Sequence, residues 1–247
     1  PAFAILKHNN ACGVAVRPTL AEAWKVALSC DPVSAFGGVL ICNREVDAAT
    51  AEEVNKLFFE VIIAPGYEPA ALETLKSKKN RIILVLKDGA RSAVQFRSML
   101  GGVAAQDRDA RVGGRDSEMA VVTKKGITEQ QKADLLFANI IVKHSKSNAI
   151  VFAKDNMLLA SGIGQTSRVD ALKQAVEKAR GFGFDLRGAV MASDAFFPFA
   201  DCVALAHAEG VDCIVQPGGS VRDQDSIDYC DRNGMAMVFT GMRHFRH

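Results

Sequence analysis

The chain has 247 residues, 49% of them hydrophobic, which is enough to bury one large core or two compact ones. With 30 Lys and Arg against 28 Asp and Glu and no dense basic run, it lacks the electrostatic field that duplex nucleic acid requires of a partner. The longest apolar runs, residues 58–64 and 135–142, fall far short of a membrane span, so no transmembrane segment is expected.

Short apolar runs alternate with amphipathic stretches along the whole chain, the pattern of βαβ units in a layered α/β fold. In chain order, strands are expected at 3–6, 38–41, 61–64, 82–86, 119–122, 149–153, 189–191, 213–215 and 236–239, with helices between them. Helix starts are read at Thr19 with Glu22, Thr50 with Glu53, and Thr128 with Gln131, where a hydroxyl and an acid or amide three residues on can satisfy each other's backbone N–H. The polar, glycine-containing stretch 106–117 is the best linker candidate. The chain opens at Pro1 on a strand-like run, with neither an initiator Met nor a secretion signal, and reads as a fragment of something longer.

Two blocks share an order of elements. Ala35-Phe36 is followed by a helical stretch and the strand ending Ala64-Pro65-Gly66, and Ala195-Phe196 by a helical stretch and the strand ending Gln216-Pro217-Gly218. The repeat suggests duplication, although any strand ending in Pro-Gly would look similar. The six cysteines, Cys12, Cys30, Cys42, Cys202, Cys213 and Cys230, lie mostly in apolar segments, which fits small buried hydrophobes in a reducing cytoplasm. His207-Ala208-Glu209 matches half of a nucleobase-deaminase zinc signature, but no Pro-Cys-x-x-Cys follows and a zinc site is not expected.

Three segments could carry chemistry. Lys7-His8 ends the first strand and precedes Asn9-Asn10-Ala11-Cys12-Gly13, read as a small polar turn. There a His can serve as general base and a Lys as a fixed charge for a developing oxyanion, though surface Lys-His pairs are common. Ser193-Asp194-Ala195-Phe196-Phe197-Pro198-Phe199-Ala200-Asp201 places three aromatic rings around a Pro with acids at both ends, suited either to a flat heterocycle or to filling a core. Gly162 to Arg168 is a glycine-rich turn with an Arg fit for a phosphate or carboxylate, or a plain surface loop.

Taken together with residues 31–38, 62–67, Ser147-Asn148 and the terminal Arg243-His244-Phe245-Arg246-His247, these segments resemble the C-terminal transformylase domain of the PurH family, the AICAR transformylase/IMP cyclohydrolases. The likeness runs in order across nearly the whole chain. It implies two cytidine-deaminase-like, zinc-free α/β/α subdomains, here 1–115 (incomplete at its N-terminal side) and 116–247. It also implies transfer of a formyl group from 10-formyltetrahydrofolate to the 5-amino group of AICAR in IMP biosynthesis.

By the resemblance His8 is the general base and Lys7 the oxyanion stabiliser. Lys7, Gly37, Glu60, Asn148, Arg168, Phe196 and Arg243 face the nucleotide, and Asp201 and Ser220 the folate. A monovalent cation near Asp194 and the backbone of Val142, Ser145 and Ser147, a homodimer with shared sites, and a cytoplasmic location are also implied. Glu60 stands where the family pattern has Asp, and Ala11 where it has Pro, which removes a rigid turn residue but no reacting group. The family's cyclohydrolase domain and an Arg-Tyr-Gly segment that holds AICAR precede the equivalent of Lys7. The competing expectation is therefore an inactive nucleotide-binding and dimerisation fragment.

Overall fold

Two chain segments repeat one order of elements in the computed structural model, which describes residues 1–87, 89 and 91–247. The first is β1 (Ala2–Lys7), β2 (Asn10–Val16), α1 (Leu20–Cys30), β3 (Gly38–Cys42), α2 (Ala48–Val54), β4 (Phe59–Ala64), α3 (Pro69–Lys76) and β5 (Ile82–Val85). A separate antiparallel pair, β6 (Val94–Met99) and β7 (Gly102–Asp107), then β8 (Ala120–Val121) and α4 (Glu129–Lys143), lead to the second. It runs β9 (Ile150–Lys154), β10 (Met157–Gly162), α5 (Arg168–Gly181), β11 (Val190–Ser193), α6 (Asp201–Ala208), β12 (Cys213–Gln216), α7 (Asp223–Arg232) and β13 (Ala236–Phe239).

Both repeats join one 11-stranded sheet, in the order β5-β4-β3-β1-β2-β10-β9-β11-β12-β13-β8. β3, β4 and β5 run parallel, as do β11, β12 and β13, and the remaining pairings are antiparallel. The halves meet where β10 lies against β2, with Met157 opposite Ala15. This antiparallel seam turns one repeat over relative to the other. The carboxyl ends of β11, β12 and β13 therefore share an end of the sheet with the carboxyl end of β1 and the amino ends of β3 and β4.

Each repeat starts with a hairpin whose two turn residues are left-handed: His8 (φ 51) and Asn9 (φ 65) in the first, Asp155 (φ 52) and Asn156 (φ 51) in the second. Two-residue turns of this hand match the natural twist of a strand pair, and Asn and Asp tolerate that region best among non-glycine residues. Asn10 to Gly13 therefore belong to β2, with Lys7 opposite Asn10, where the sequence suggested a longer polar turn. β2 and β10 escaped the sequence reading because their small residues, Ala11, Gly13 and Ala15 or Ala160, Ser161 and Gly162, give no β-branched or alternating signal.

The capping pairs Thr19/Glu22 and Thr128/Gln131 start α1 and α4 as read. The third does not: Asp47 caps α2 by accepting from the Thr50 N–H at 2.7 Å, and Thr50 lies buried inside the helix. The internal similarity is half right. The strands ending in Pro65-Gly66 and Pro217-Gly218, β4 and β12, are topological equivalents, but Ala35-Phe36 precedes β3 whereas Ala195-Phe196 follows β11.

Packing separates the repeats. In the second, Ile150 and Phe152 point into the core under α5, α6 and α7, while Val151 and Ala153 pack with Leu135, Ala138 and Val142 of α4. A strand covered on both faces reads as a continuous apolar run. In the first, Phe3 and Ile5 are buried with Trp24, Leu40, Phe59 and Ile62 under α1, α2 and α3, while Ala4 and Leu6 on the other face are only half-buried. Among the described residues the first repeat has one helical layer, so the three-layer expectation fits the second repeat alone.

Candidate active site

The end of the sheet where β1 stops carries the candidate residues. Lys7 is the last residue of β1, and its Nζ donates to the Phe36 carbonyl. The next residue, Gly37, is left-handed (φ 67), and its amide donates to Phe58 O at 2.9 Å. A Cβ there would come within 3.3 Å of Lys7 Nζ, so the glycine provides both the turn and the room for the ammonium. The Phe36 and Phe58 rings stack with centroids 5.1 Å apart and remain exposed beside it. His8 is exposed in the turn rather than on the strand, and Glu60 is exposed near the start of β4.

A second cluster forms at the start of α5. Ser167 caps the helix by accepting from Asp170 N at 3.0 Å, which places Arg168 at its first position. Arg168 Nη2 donates to Asn148 Oδ1 at 3.0 Å and to Asp194 Oδ1 at 2.7 Å, and Nη1 donates to Phe196 O at 3.3 Å. Asp194 is fully buried, and Arg168 Nε and Asp194 Oδ2 have no partner among the described residues. Burial of unmatched polar atoms is costly, and these two belong to the same buried ion pair at the end of the sheet.

The aromatic run divides. Phe197 is fully buried in the core with its N–H on Gln216 Oε1 at 3.1 Å, Phe196 is half-buried, and Phe199 is exposed under the Arg222 guanidinium at 5.0 Å. Three rings closing on one heterocycle is therefore not the arrangement. Asp201 begins α6, and Ser220 follows β12 with its N–H on Asp223 Oδ2 at 3.1 Å. Arg243 is exposed, its guanidinium 5.4 Å from the Phe245 ring.

Arg168, Asn148 and Phe196 are thus brought into one network, and Lys7 and Gly37 into another, with His8 in the turn that follows Lys7. Three inter-strand spacings, β1 to β2 to β10 to β9, part the two by roughly 14 Å. Glu60, Arg243, Asp201 and Ser220 share that end of the sheet without joining either network.

Residues that the sequence did not single out tie the clusters together. Asn10 Nδ2 donates to His8 O at 3.2 Å, and its Oδ1 accepts from Lys146 N at 3.0 Å. The irregular terminal tail crosses the same end: His244 N donates to Asp194 O at 2.8 Å, Arg246 N to Ser147 Oγ at 2.9 Å, and Arg246 Nη1 to Asn9 O at 3.4 Å and to the His144 carbonyl. Asp109 anchors the tail from below, accepting from buried Lys143 at 3.2 Å and pairing with His244 Nδ1 at 2.7 Å. A cleft of about 1160 Å³ beside it is lined by Arg97, Arg108, Arg115, Lys143 and Arg246 together with Asp109; it reaches the His8 turn only through Arg246 and takes in none of the candidate site residues. Burial and the neighbouring Lys143 and Arg246 charges hold His144 below its ordinary pKa.

His207 lies in α6 with Nδ1 3.3 Å from the Tyr229 hydroxyl, and no group of three or more His, Cys, Asp or Glu among the described residues is placed to hold a metal. All six cysteines are buried, and burial pushes the thiols up to about 11 for Cys12 and Cys42 and about 12 for the others. No helix among the described residues is long and apolar enough to cross a membrane.

Fold and site together define a mixed α/β protein whose polar groups converge at one end of a duplicated sheet. The chain belongs to the AICARFT/IMPCHase bienzyme family, whose pattern matches residues 1–178. Among curated relatives it is 63% identical over 245 residues to the "Bifunctional purine biosynthesis protein PurH" of Bacteroides thetaiotaomicron, which covers 99% of this chain and 48% of that protein. The PurH proteins of Aquifex aeolicus and Chlorobium phaeovibrioides are each 49% identical, over 99% and 100% of this chain and 47% of their own length. The chain spans about half the length of the curated relatives it matches.

Proposed function

We propose that this chain carries the formyl-transfer site of purine biosynthesis, moving a formyl group from 10-formyltetrahydrofolate to the 5-amino group of AICAR. The observation that carries the reading is the Lys7-His8 pair: an ammonium tethered to Phe36 O beside Gly37, and next to it an exposed imidazole on a fixed turn. The AICAR amine is conjugated with its ring and carboxamide and is a weak nucleophile. His8 removes its proton as nitrogen attacks the formyl carbon, Lys7 balances the oxyanion of the tetrahedral adduct, and collapse breaks the bond to N10 of the folate, which leaves as the amine by taking the proton from His8.

In this reading Lys7, Gly37, Glu60, Asn148, Arg168, Phe196 and Arg243 hold AICAR, and Asp201 and Ser220 hold the folate. A separation of roughly three strand spacings between the networks is compatible with a homodimer in which each site draws on both subunits. Exposed Val33, Phe36 and Phe58 and the open β5 edge at Ile82 and Leu84 are the surfaces such a dimer would cover. Sedimentation that shows only monomer in the full-length protein would remove that arrangement.

Asp194 Oδ2, buried and unmatched, is a fitting oxygen for a monovalent cation near Val142, Ser145 and Ser147. Such an ion would supply counter-charge that steadies the Arg168 network. The repeated β-β-α-β-α-β-α-β order supports two cytidine-deaminase-like units, 1–115 and 116–247. The cyclohydrolase reaction is not assigned to these residues.

The half-covered first repeat favours a second reading, a folded nucleotide-binding and dimerisation fragment without turnover. Formyl transfer measured on this chain and on the full-length protein decides between them. Transfer by the chain alone removes the second reading, and AICAR binding without transfer supports it. If neither protein forms formyl-AICAR, the first reading is lost.

A further inference from the structure

We propose that the backbone amides of His8 and Asn9 form a carboxylate-binding site, on the sheet face opposite the one Lys7 serves. The argument comes from the other hairpin and does not depend on formyl transfer. Both hairpins end in a lysine followed by two left-handed residues, with φ of 51 and 65 at His8 and Asn9, and of 52 and 51 at Asp155 and Asn156. Lys7 Nζ donates to Phe36 O ahead of left-handed Gly37. Likewise Lys154 Nζ donates to Arg187 O at 3.0 Å ahead of left-handed Gly188 (φ 71). The two turns are copies of one device, down to the carbonyl that receives the lysine.

In the second copy the purpose of the turn amides is visible. Asp155 N donates to Asp134 Oδ2 at 3.0 Å and Asn156 N to Asp134 Oδ1 at 2.6 Å, so successive left-handed residues aim both N–H groups at a single carboxylate. Asp134 belongs to α4 and is buried, with Gln130 Nε2, at 3.2 Å, as its one further donor among the described residues.

The first copy differs in what is occupied. Its carbonyls are taken, His8 O by Asn10 and Asn9 O by Arg246, whereas neither amide has a partner among the described residues. Side chains alternate along a strand. Lys154 shares the face of Ile150 and Phe152, and Asp134 comes from the opposite layer. By the same alternation the carboxylate at His8-Asn9 lies beside Leu6, on the face where the described residues of the first repeat supply no helical layer, and away from Lys7 Nζ. Arg246 adds positive charge next to it.

The occupant is a carboxylate, either of a small ligand or of an acidic side chain elsewhere in the protein. The test follows backbone amide resonances as sodium acetate is added, with sodium chloride as the ionic-strength control, in this chain and in the full-length protein. In this chain the His8 and Asn9 amide protons move downfield and saturate, while those of Asp155 and Asn156 stay fixed.

In Asp134→Ala the second turn acquires the acetate response; should that variant fold poorly, the isosteric Asp134→Asn, whose neutral carboxamide still fills the space, moves the Asp155 and Asn156 amide protons upfield without an acetate response. A full-length protein whose His8 and Asn9 amides respond to acetate has a ligand site. One in which they are already downfield and protected from exchange has an acidic side chain there. His8 and Asn9 amides that exchange at solvent rates and ignore acetate in both proteins overturn the proposal, whatever happens to catalysis.

Discussion

The two hairpin turns have one backbone and opposite surroundings. The second has every backbone polar group of its two turn residues taken: Asp134 accepts from both amides, and Val16 N and Arg17 Nη1 donate to the Asn156 and Asp155 carbonyls at 3.0 and 2.8 Å. The first is held by its carbonyls only, which leaves an imidazole and two N–H groups facing outward. Rigid placement of a reactive side chain requires a turn that is fixed but not enclosed. Duplication supplies both versions, one used as a clasp between the halves and one available for chemistry.

The comparison breaks most directly by exchanging equivalent positions. His8→Ala in the full-length protein is expected to lower formyl transfer by roughly 10²- to 10⁴-fold with little change in AICAR affinity. Asp155→Ala should leave the rate within a few-fold. Turnover and unfolding midpoint measured on the same preparations separate chemistry from folding, and a correctly folded His8→Ala enzyme of near-parental rate would take His8 out of the mechanism.

Next in size is a packing effect shared by both halves. Gly13 and Gly162 lie under the helix that follows each hairpin, and a Cβ would stand 2.0 Å from Ala27 O or 1.7 Å from Ala171 O. Backbone cannot yield as a side chain can, so Gly162→Ala should destabilise by on the order of 3 kcal/mol or more, read from denaturant midpoints. Gly13→Ala should cost a similar amount. A neutral result at either would mean that the helix can ride up off its strand.

Asp134→Ala should cost less, about 1–3 kcal/mol, because it leaves two turn amides without their acceptor. That loss should appear in hydrogen exchange at Asp155 and Asn156, with His8 and Asn9 unchanged.

Much of this was open to sequence reading where one side chain dominates its surroundings. The apolar strands 38–41, 61–64, 149–153 and 236–239 declare themselves, whereas Lys7-His8 and Arg168 stand out only through the family resemblance. What stayed hidden depends on partners far along the chain. Asn10 joins Lys146 across 136 positions and Arg246 joins Asn9 across 237, and no local pattern distinguishes such residues from solvated ones. Asp134 did leave a trace, as an acid set in the apolar stripe of α4 beside Leu135 and Ala138, which a buried polar group with a defined partner would explain.

Asn10 offers a finer test of how the open turn is held. Asn10→Asp keeps the acceptor for Lys146 N but cannot donate to His8 O, whereas Asn10→Ala loses both bonds. If the His8 bond positions the imidazole, both variants should lose roughly tenfold in kcat, with the KM for AICAR unchanged. A matched rise in KM, or full activity in the Asp variant, would reduce Asn10 to a structural tie.

The smallest effect concerns the clasp between the halves. Asp31, at the end of α1, pairs with Lys178 of α5 at 2.7 Å and also accepts from Ser34 N at 2.8 Å. Burial alone would raise the Asp31 carboxyl, but hydrogen bonds from Lys178 and Ser34 and the Lys178 charge outweigh it and hold the group below its ordinary value of 3.8. A carboxyl with a depressed folded pKa adds stability that is complete above its unfolded value and is lost as pH falls through the folded one. The advantage of the parent chain over Asp31→Asn should therefore be constant near neutrality and shrink only below about pH 4. Thermal midpoints of the two proteins, taken in parallel down to about pH 3, measure it. A difference that stays flat across that range would mean the contact acts through shape alone, and one that grows on acidification would reverse the sign of the linkage and put the charge of Asp31 on the destabilising side.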